Sequence, residues 1–183
     1  GGTEMNYLYH IVPKNMKGNI LYPLTILKKK YPTIYKDQMK KYKGRKQIMR
    51  MKIPILNCLW NDVLHLTAVN PIKIKSVLEK SVSKYKKREW PWVKINPNKL
   101  NKQNTIIFIY KNRKDERERR KNMDNFTKFQ IKKLSKYNKI SKATLNYYKK
   151  EIRKGRKPLI FHLVPHILYK GSINIQKAKI VRA

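Results

Sequence analysis

The stretch "LYHIVPKNMKGNIL", residues 8–21, is the clearest indication of the fold, because an apolar run in it is followed by a proline and a glycine. The run from Asn6 to Val12 predicts a short β-strand, and Pro13 ends it because proline cannot donate a hydrogen bond to a neighbouring strand. Gly18 then indicates a turn before a second apolar run. The folded part of the chain is therefore expected to open with a strand and a turn.

A pentapeptide in this strand has a counterpart near the end of the chain. "YHIVP" begins at Tyr9 and "FHLVP" begins at Phe161. We interpret both as strands ended by proline. Because neighbouring residues of a strand point to opposite faces, His10 and His162 are expected to open towards one cleft, with Tyr9 and Phe161 packing on the other face of the sheet. Five residues are too few to establish a duplication.

Apolar runs, and the residues that break them, predict the remaining elements. Helices are expected from Pro32 to a stop at Gly44, after Asn70-Pro71, and from Ser141 to a stop at Gly155. Further strands are expected in "VLHLTAV" (63–69), "TIIFIY" (105–110), "LIFHLV" (159–164) and "INIQKAKIV" (173–181).

Two basic segments lie outside these elements. Residues 83–104 contain prolines and aromatics among their lysines and predict a long connection, and residues 111–122 predict an exposed charged loop. Strands and helices interleave without a strict β-α-β alternation, which favours an α+β fold with a mixed or antiparallel sheet. We expect a single domain over residues 5–183, with residues 1–4 a remnant of cloning.

Charge is the strongest functional signal. The chain has 46 Lys and Arg against 10 Asp and Glu, a net charge of +36. Repulsion at this charge disfavours the compact state, so we expect a polyanionic partner, with nucleic acid, DNA or RNA, favoured over an anionic membrane surface. No apolar run is long enough to span a membrane, and a single cysteine, Cys58, excludes an internal disulfide and a cysteine-rich zinc site. We expect a soluble, intracellular protein.

Basic and aromatic side chains are the candidates for contacts with phosphates and bases. The nucleic-acid-binding candidates are Lys43, Arg45, Lys46, Trp90, Trp92, Arg113, Arg117, Arg119 and Arg120, and the aromatic candidates also include Tyr85, Tyr147 and Tyr148. For the two tryptophans, packing in the core is an equal expectation.

In its order of segments the chain resembles the DarT-like toxins, mono-ADP-ribosyltransferases that modify DNA or RNA. "LYHIVPKNMKGNIL" looks like their opening strand and turn, and "IPILNCLWNDVLHLTAVNP" (53–71) occupies the place of a later loop and strand. "NTIIFIYK" (104–111) and "PLIFHLVPHILYKGSINIQKAKIV" (158–181) look like the middle and closing strands. The resemblance implies an ADP-ribosyltransferase-like architecture with NAD as cofactor, His10 against its ribose and Arg45 near its phosphates.

The chain departs from this family at two positions. The family has a threonine two residues after its first histidine, where this chain has Val12, and a glutamate at the start of its closing catalytic strand, where Phe161 and His162 stand. Without that carboxylate, nothing at this position stabilises the positive charge that develops on the ribose as nicotinamide leaves. The resemblance therefore implies NAD binding, with transfer limited or abolished.

Two other functions remain open. His65-Leu66-Thr67 resembles one His-x-Thr motif of the two-histidine RNA phosphoesterases, with His162 in the place of the second motif. His10, His65 and His162 are accordingly the candidate catalytic residues. The third interpretation is a non-catalytic nucleic-acid-binding or structural protein, such as a ribosome-associated or virion-packing protein. A cleft that gathers the three histidines would favour an enzyme.

The histidines do not predict a metal site. The four of them, with His166 included, lack ligand-like spacing and carboxylate partners, so no metal is expected. Asp62 follows a turn and is better suited to capping backbone N–H groups than to catalysis.

Overall fold

Eleven strands, most of them short, form the sheets in the computed structural model, which describes residues 5–81, 86, 88–110 and 123–183. The strands within these residues are β1 (Leu8–Ile11), β2 (Ile20–Leu21), β3 (Lys52–Ile53), β4 (Cys58–Leu59), β5 (Leu64–Leu66), β6 (Pro91–Ile95), β7 (Thr105–Phe108), β8 (Phe126–Lys128), β9 (His166–Tyr169), β10 (Ile173–Asn174) and β11 (Lys179–Arg182).

Helices pack around these strands. The α-helices within the described residues are α1 (Leu24–Lys30), α2 (Pro32–Met39), α3 (Pro71–Ser81) and α4 (Lys142–Arg153). Short 3-10 helices occupy Lys40–Tyr42, Lys46–Arg50, Trp60–Asp62, Pro97–Lys99, Lys102–Asn104, Met123–Asn125 and Ile131–Tyr137. The predicted single α+β domain is confirmed.

The longer strands form two antiparallel sheets that meet at one point. The first sheet has the order β1-β6-β11 and the second has the order β5-β9-β7-β8. Tyr9 and Thr67 form a bridge between them, since the N–H of Tyr9 donates to the Thr67 carbonyl at 2.8 Å and the N–H of Thr67 donates to the Tyr9 carbonyl at 3.0 Å. A continuous path of strands therefore runs β11-β6-β1-β5-β9-β7-β8.

Local capping signals explain the helices that the sequence predicts. The Ser141 hydroxyl accepts the Thr144 N–H at the start of α4, and the Asn70 side chain accepts the Ile72 N–H at 3.0 Å at the start of α3. Gly155 ends α4 with φ +69°, a backbone conformation that glycine adopts without a steric penalty. Tyr148, in the middle of α4, is fully buried in a cluster with Ile74 of α3.

The prediction of a long connection over residues 83–104 is wrong for the part that forms β6. This strand is the centre of the first sheet, pairing with β1 on one side and β11 on the other. Its residues Trp92, Val93 and Ile95 are at most 1% exposed. Prolines flank the run and lysines surround it, so the local pattern suggested a loop, whereas burial against two distant strands makes it a core element.

The predicted strand over residues 159–164 is also wrong. The N–H of His162 donates to the Leu159 carbonyl at 3.0 Å, and the N–H of Val164 donates to the Phe161 carbonyl at 3.1 Å, so the chain turns here. Leu163 adopts φ +59°, which is incompatible with a strand. The closing strand β9 begins only at His166. The predicted loop at residues 111–122 lies outside the described residues.

In the described part of the chain, no helix has both the length and the apolar character that crossing a membrane requires.

Candidate functional site

An open pocket lies where β1, the turn after it, the α1–α2 pair and β5 come together. It is partly open to solvent and is not a closed cavity. His10 of β1, His65 of β5 and Lys41 line it, and Tyr22 and Tyr31 contribute aromatic rings. The pocket thus combines basic groups with aromatic and apolar surface.

Helical spacing explains how α1, α2 and the turn after them reach the pocket. Residues three or four positions apart lie on one face of a helix. The residues from this segment that line the pocket follow that spacing: Leu24, Leu27, Tyr31, Ile34, Gln38 and Lys41. The inner face of the helix pair is therefore the wall of the pocket, and its outer face is turned to solvent.

His10 is held in its position by the backbone of its own strand. The ring Nδ1 lies 2.6 Å from the Ile11 carbonyl oxygen, so it donates its N–H there. Burial lowers the pKa of His10 to about 4, with the nearby charge of Lys41 contributing and the hydrogen bond to Ile11 opposing the shift. The imidazole is therefore neutral at physiological pH, with Nε2 as a hydrogen-bond acceptor.

His65 lies in an aromatic environment. Its Nε2 is 2.9 Å from the Trp60 carbonyl oxygen, and its ring centroid is 4.5 Å from that of Trp60. The ring of His166, at the start of β9, lies 6.2 Å away. Burial lowers the pKa of His65 well below its usual value, and the neighbouring basic groups, His166 first among them, add to the effect. His65 is therefore also neutral.

Lys41 places an ammonium group in the pocket, where its charged form is destabilised. The Lys41 side chain is accessible at the surface, but it lies in a concave site where other protein atoms surround it. This poor solvation, together with the charge of Arg45, lowers the pKa of Lys41 to about 8. The Arg45 guanidinium donates to the Lys41 backbone carbonyl at 2.8 Å, which holds the Arg45 side chain against the Lys41 backbone. Among the described residues that line the pocket, none is aspartate or glutamate. A bound anion would relieve this repulsion.

The structure brings two of the three candidate catalytic histidines together. His10 and His65 line one pocket, whereas His162 does not line it and instead stacks on Tyr147 of α4 with ring centroids 3.9 Å apart. The expected cleft shared by His10 and His162 is therefore corrected to a pocket shared by His10 and His65. Tyr9 and Phe161 do lie in one apolar cluster.

The candidates for nucleic-acid contact fall into three groups. Lys43, Arg45 and Lys46 follow α2 along the chain, the two lysines are exposed, and none of the three lines the pocket. Trp92 is 1% exposed and Tyr148 is fully buried, so neither ring is available to stack on a base. Trp90 is half-buried, and its indole N–H donates to the Val12 carbonyl at 2.9 Å. Tyr147 is half-buried and stacks on His162, and the other candidates, Tyr85, Arg113, Arg117, Arg119 and Arg120, lie outside the described residues.

Three residues that line the pocket were missed in the sequence, Tyr22, Tyr31 and Lys41, and His166, which lies beside His65, was considered there only as a metal ligand. The three- and four-residue spacing from Leu24 to Lys41 is the signal for α1 and for the pocket wall. It was missed because Pro32 divides this segment into two short helices. Nothing local marks His166, because it reaches His65 only through the pairing of β9 with β5.

Asp62 has the capping role that the sequence predicts. Its carboxylate accepts the Leu59 N–H at 2.8 Å and the Thr25 hydroxyl at 2.6 Å. A search of the described residues finds no group of three or more His, Cys, Asp or Glu side chains suited to a metal ion.

Comparisons with protein-family models, with curated proteins and with solved structures each returned no match.

The lowered pKa of His10 predicts that stability falls as the pH falls. The folded state holds this histidine neutral with a pKa of about 4, while the unfolded chain binds a proton near pH 6.5. The stabilisation is therefore complete above pH 6.5 and is lost progressively as the pH falls towards 4. His10→Gln should remove about 2 kcal/mol of the fall in unfolding free energy between about pH 7.5 and 5. Urea unfolding at the two pH values measures this, and an unchanged fall in the variant would contradict the assignment.

Proposed function

We propose that the protein engages nucleic acid and that its pocket binds a nucleotide cofactor of the NAD type, in an ADP-ribosyltransferase-like architecture. The observation that carries the proposal is the pocket itself, in which cationic and aromatic side chains meet in the absence of any carboxylate among its described lining residues. Such a site suits a ligand with both phosphates and planar rings.

The chemistry of the side chains matches the two parts of such a ligand. Lys41 and Arg45 lie close enough to repel each other, so a pyrophosphate between or beside them would be stabilised by both. Tyr22 and Tyr31 lie with ring centroids 6.4 Å apart and offer faces or edges for a base. The neutral Nε2 of His10 can accept a hydrogen bond from a ribose hydroxyl.

The strand path explains why the histidines lie close together. His10 lies on β1 and His65 lies on β5, the two strands at which the sheets meet, and β9 brings His166 beside them. The pocket is thus at the junction of two antiparallel sheets, and it is lined by His10, the residue that the family resemblance assigns to the NAD ribose.

The same pocket argues for binding rather than transfer. Cleaving nicotinamide from ribose develops positive charge, which an enzyme stabilises with a nearby negative group. The pocket instead offers His10, Lys41 and His65, and Asp62 is occupied in its capping role. We therefore propose that the protein binds NAD with slow or absent cleavage of the glycosidic bond.

Titration calorimetry with NAD tests this proposal. The intact protein should bind NAD, and His10→Ala should weaken the affinity about tenfold or more, since losing one ligand hydrogen bond costs about 1–3 kcal/mol. His162→Ala is the matched control, because His162 lies outside the pocket, and it should bind as the intact protein does. Thermal melts verify that both variants fold. Absence of NAD binding to the intact protein would overturn the cofactor proposal.

The phosphoesterase interpretation receives no support from this geometry. It requires His65 and His162 to face each other, and His162 stacks on Tyr147 instead. A non-catalytic nucleic-acid-binding protein remains the alternative, favoured by the net charge of +36 alone.

A further inference from the structure

The α1–α2 pair has two faces with different character. Its inner face lines the pocket, and its outer surface together with the turn after it carries exposed lysines. Residues 24–46 contain nine cationic side chains and a single acid, Asp37. We define the α1–α2 rim as six exposed lysines of this segment: Lys28, Lys29, Lys30, Lys36, Lys40 and Lys43.

Little within this segment neutralises the rim. The Lys40 ammonium lies 2.7 Å from the Asp37 carboxylate, and this ion pair accounts for the one acid of residues 24–46. Lys28 and Lys30 contact tyrosine rings, which attract a cation but do not cancel its charge. The rim therefore keeps a large excess of positive charge.

The rim and the pocket are physically continuous. The Lys30 ammonium lies 5.3 Å from the ring centroid of Tyr22, and Tyr22 itself lines the pocket. Tyr31 joins α1 to α2 and also lines the pocket. An anion bound to Lys30 of the rim is therefore separated from the pocket by the Tyr22 side chain alone.

We propose that a single nucleic-acid strand lies along the α1–α2 rim and places one nucleotide at the mouth of the pocket. This inference rests on the nucleic-acid engagement proposed above and names the surface that performs it. A backbone of phosphates complements the rim, and an unpaired base can stack on whichever of Tyr22 and Tyr31 the base of NAD leaves free. A duplex would first have to unpair and unstack a base, so a single strand is preferred.

Helix α4 carries a comparable set of cations without a pocket. Lys142, Lys149, Lys150 and Arg153 are exposed on it, while Thr144 and Tyr148 are buried. No α4 residue lines the pocket. The exposed surface of α4 is a matched control, because the same number of charges can be removed from α4 as from the α1–α2 rim.

The first experiment compares two triple variants. Lys29→Ala with Lys36→Ala and Lys43→Ala removes three charges from the rim, and Lys142→Ala with Lys149→Ala and Lys150→Ala removes three from α4. For a labelled single-stranded oligonucleotide, the rim variant should reduce the slope of log affinity against log salt by about 2, at roughly 0.7 per lost phosphate contact. The α4 variant should reduce it by clearly less. Both should melt close to the intact protein because exposed charges contribute little to stability.

The outcomes separate this inference from the proposed function. If the intact protein binds no oligonucleotide at low salt, nucleic-acid engagement fails and the rim with it. If it binds but the α4 variant loses as much slope as the rim variant or more, the rim assignment is overturned while engagement stands.

Photo-crosslinking locates the strand without relying on variants. An oligonucleotide carrying one 5-iodouracil should crosslink to Tyr22 or Tyr31, and mass spectrometry identifies the residue. The same sequence held in a duplex should crosslink less. Crosslinks confined to the Tyr147 side of the molecule would overturn the placement at the pocket.

Discussion

Nucleic-acid affinity should fall by at least a hundredfold when salt is raised from about 50 to 200 mM, since proteins that contact six to ten phosphates lose about 10³–10⁵ in affinity over this range. The physical reason is that each lysine or arginine that neutralises a phosphate releases a counterion from the nucleic acid. The net charge of +36 provides far more cations than such a contact needs. Fluorescence anisotropy with labelled oligonucleotides measures the effect.

Oligonucleotides of equal length and different sequence are the control for this prediction. Phosphate contacts carry no sequence information, so their affinities should agree closely and show the same salt slope. A flat response to salt, or a strong preference for one sequence that persists at high salt, would contradict a binding mode dominated by the backbone.

Trp92→Ala should destabilise the protein by about 3–5 kcal/mol, the usual cost of deleting a large aromatic side chain from a core. Trp92 is 1% exposed in the central strand β6, in a cluster with Tyr9 and Ala183 and beside Phe161. Its loss would leave a cavity between β1, β11 and the turn that precedes β9. Urea unfolding followed by circular dichroism measures the change.

Two companion variants make this prediction sharper. Trp92→Phe should cost much less, because it keeps a buried ring and removes a buried indole N–H that has no hydrogen-bond partner among the described residues. Trp90→Ala removes a half-buried tryptophan and one hydrogen bond to Val12, so it should cost less than Trp92→Ala. If Trp90→Ala proved the more destabilising of the two alanine variants, β6 would not be the centre of the core.

Elements with complete local signals were predictable from the sequence. The strand at "TIIFIY" has β-branched and aromatic residues without a breaker, and β7 forms there. The helix after Ser141 has a capping hydroxyl at one end and Gly155 at the other, and α4 follows those bounds closely. In both places the stabilising contacts begin with residues only a few positions apart.

Elements that depend on distant partners were not predictable. β6 pairs with β1 and β11, which lie near opposite ends of the chain, and its own sequence contains proline and lysine. The turn at Leu163 looks like a strand because its residues are apolar, yet they pack against α3, α4 and Trp92 rather than in a ladder. Apolar character alone indicates burial and does not distinguish a buried turn from a strand.

The sequence predicted some of the residues at the pocket and missed others. His10 and Arg45 were assigned from the family resemblance; His10 lines the pocket, whereas Arg45 does not line it and donates to the backbone carbonyl of Lys41, which does. Lys41 was not recognised, because a lysine in a lysine-rich segment has no distinguishing neighbour in the sequence. The Lys41 side chain faces a concave site only because α1 and α2 pack on the sheet.

A crystal structure of the protein soaked with NAD tests the central proposal most directly. We predict NAD in the pocket, with a ribose against His10 and the pyrophosphate beside Lys41 and Arg45. The base should lie near Tyr22 or Tyr31, and the bond between nicotinamide and ribose should be intact. An empty pocket at saturating NAD, or NAD bound elsewhere on the molecule, would contradict the account.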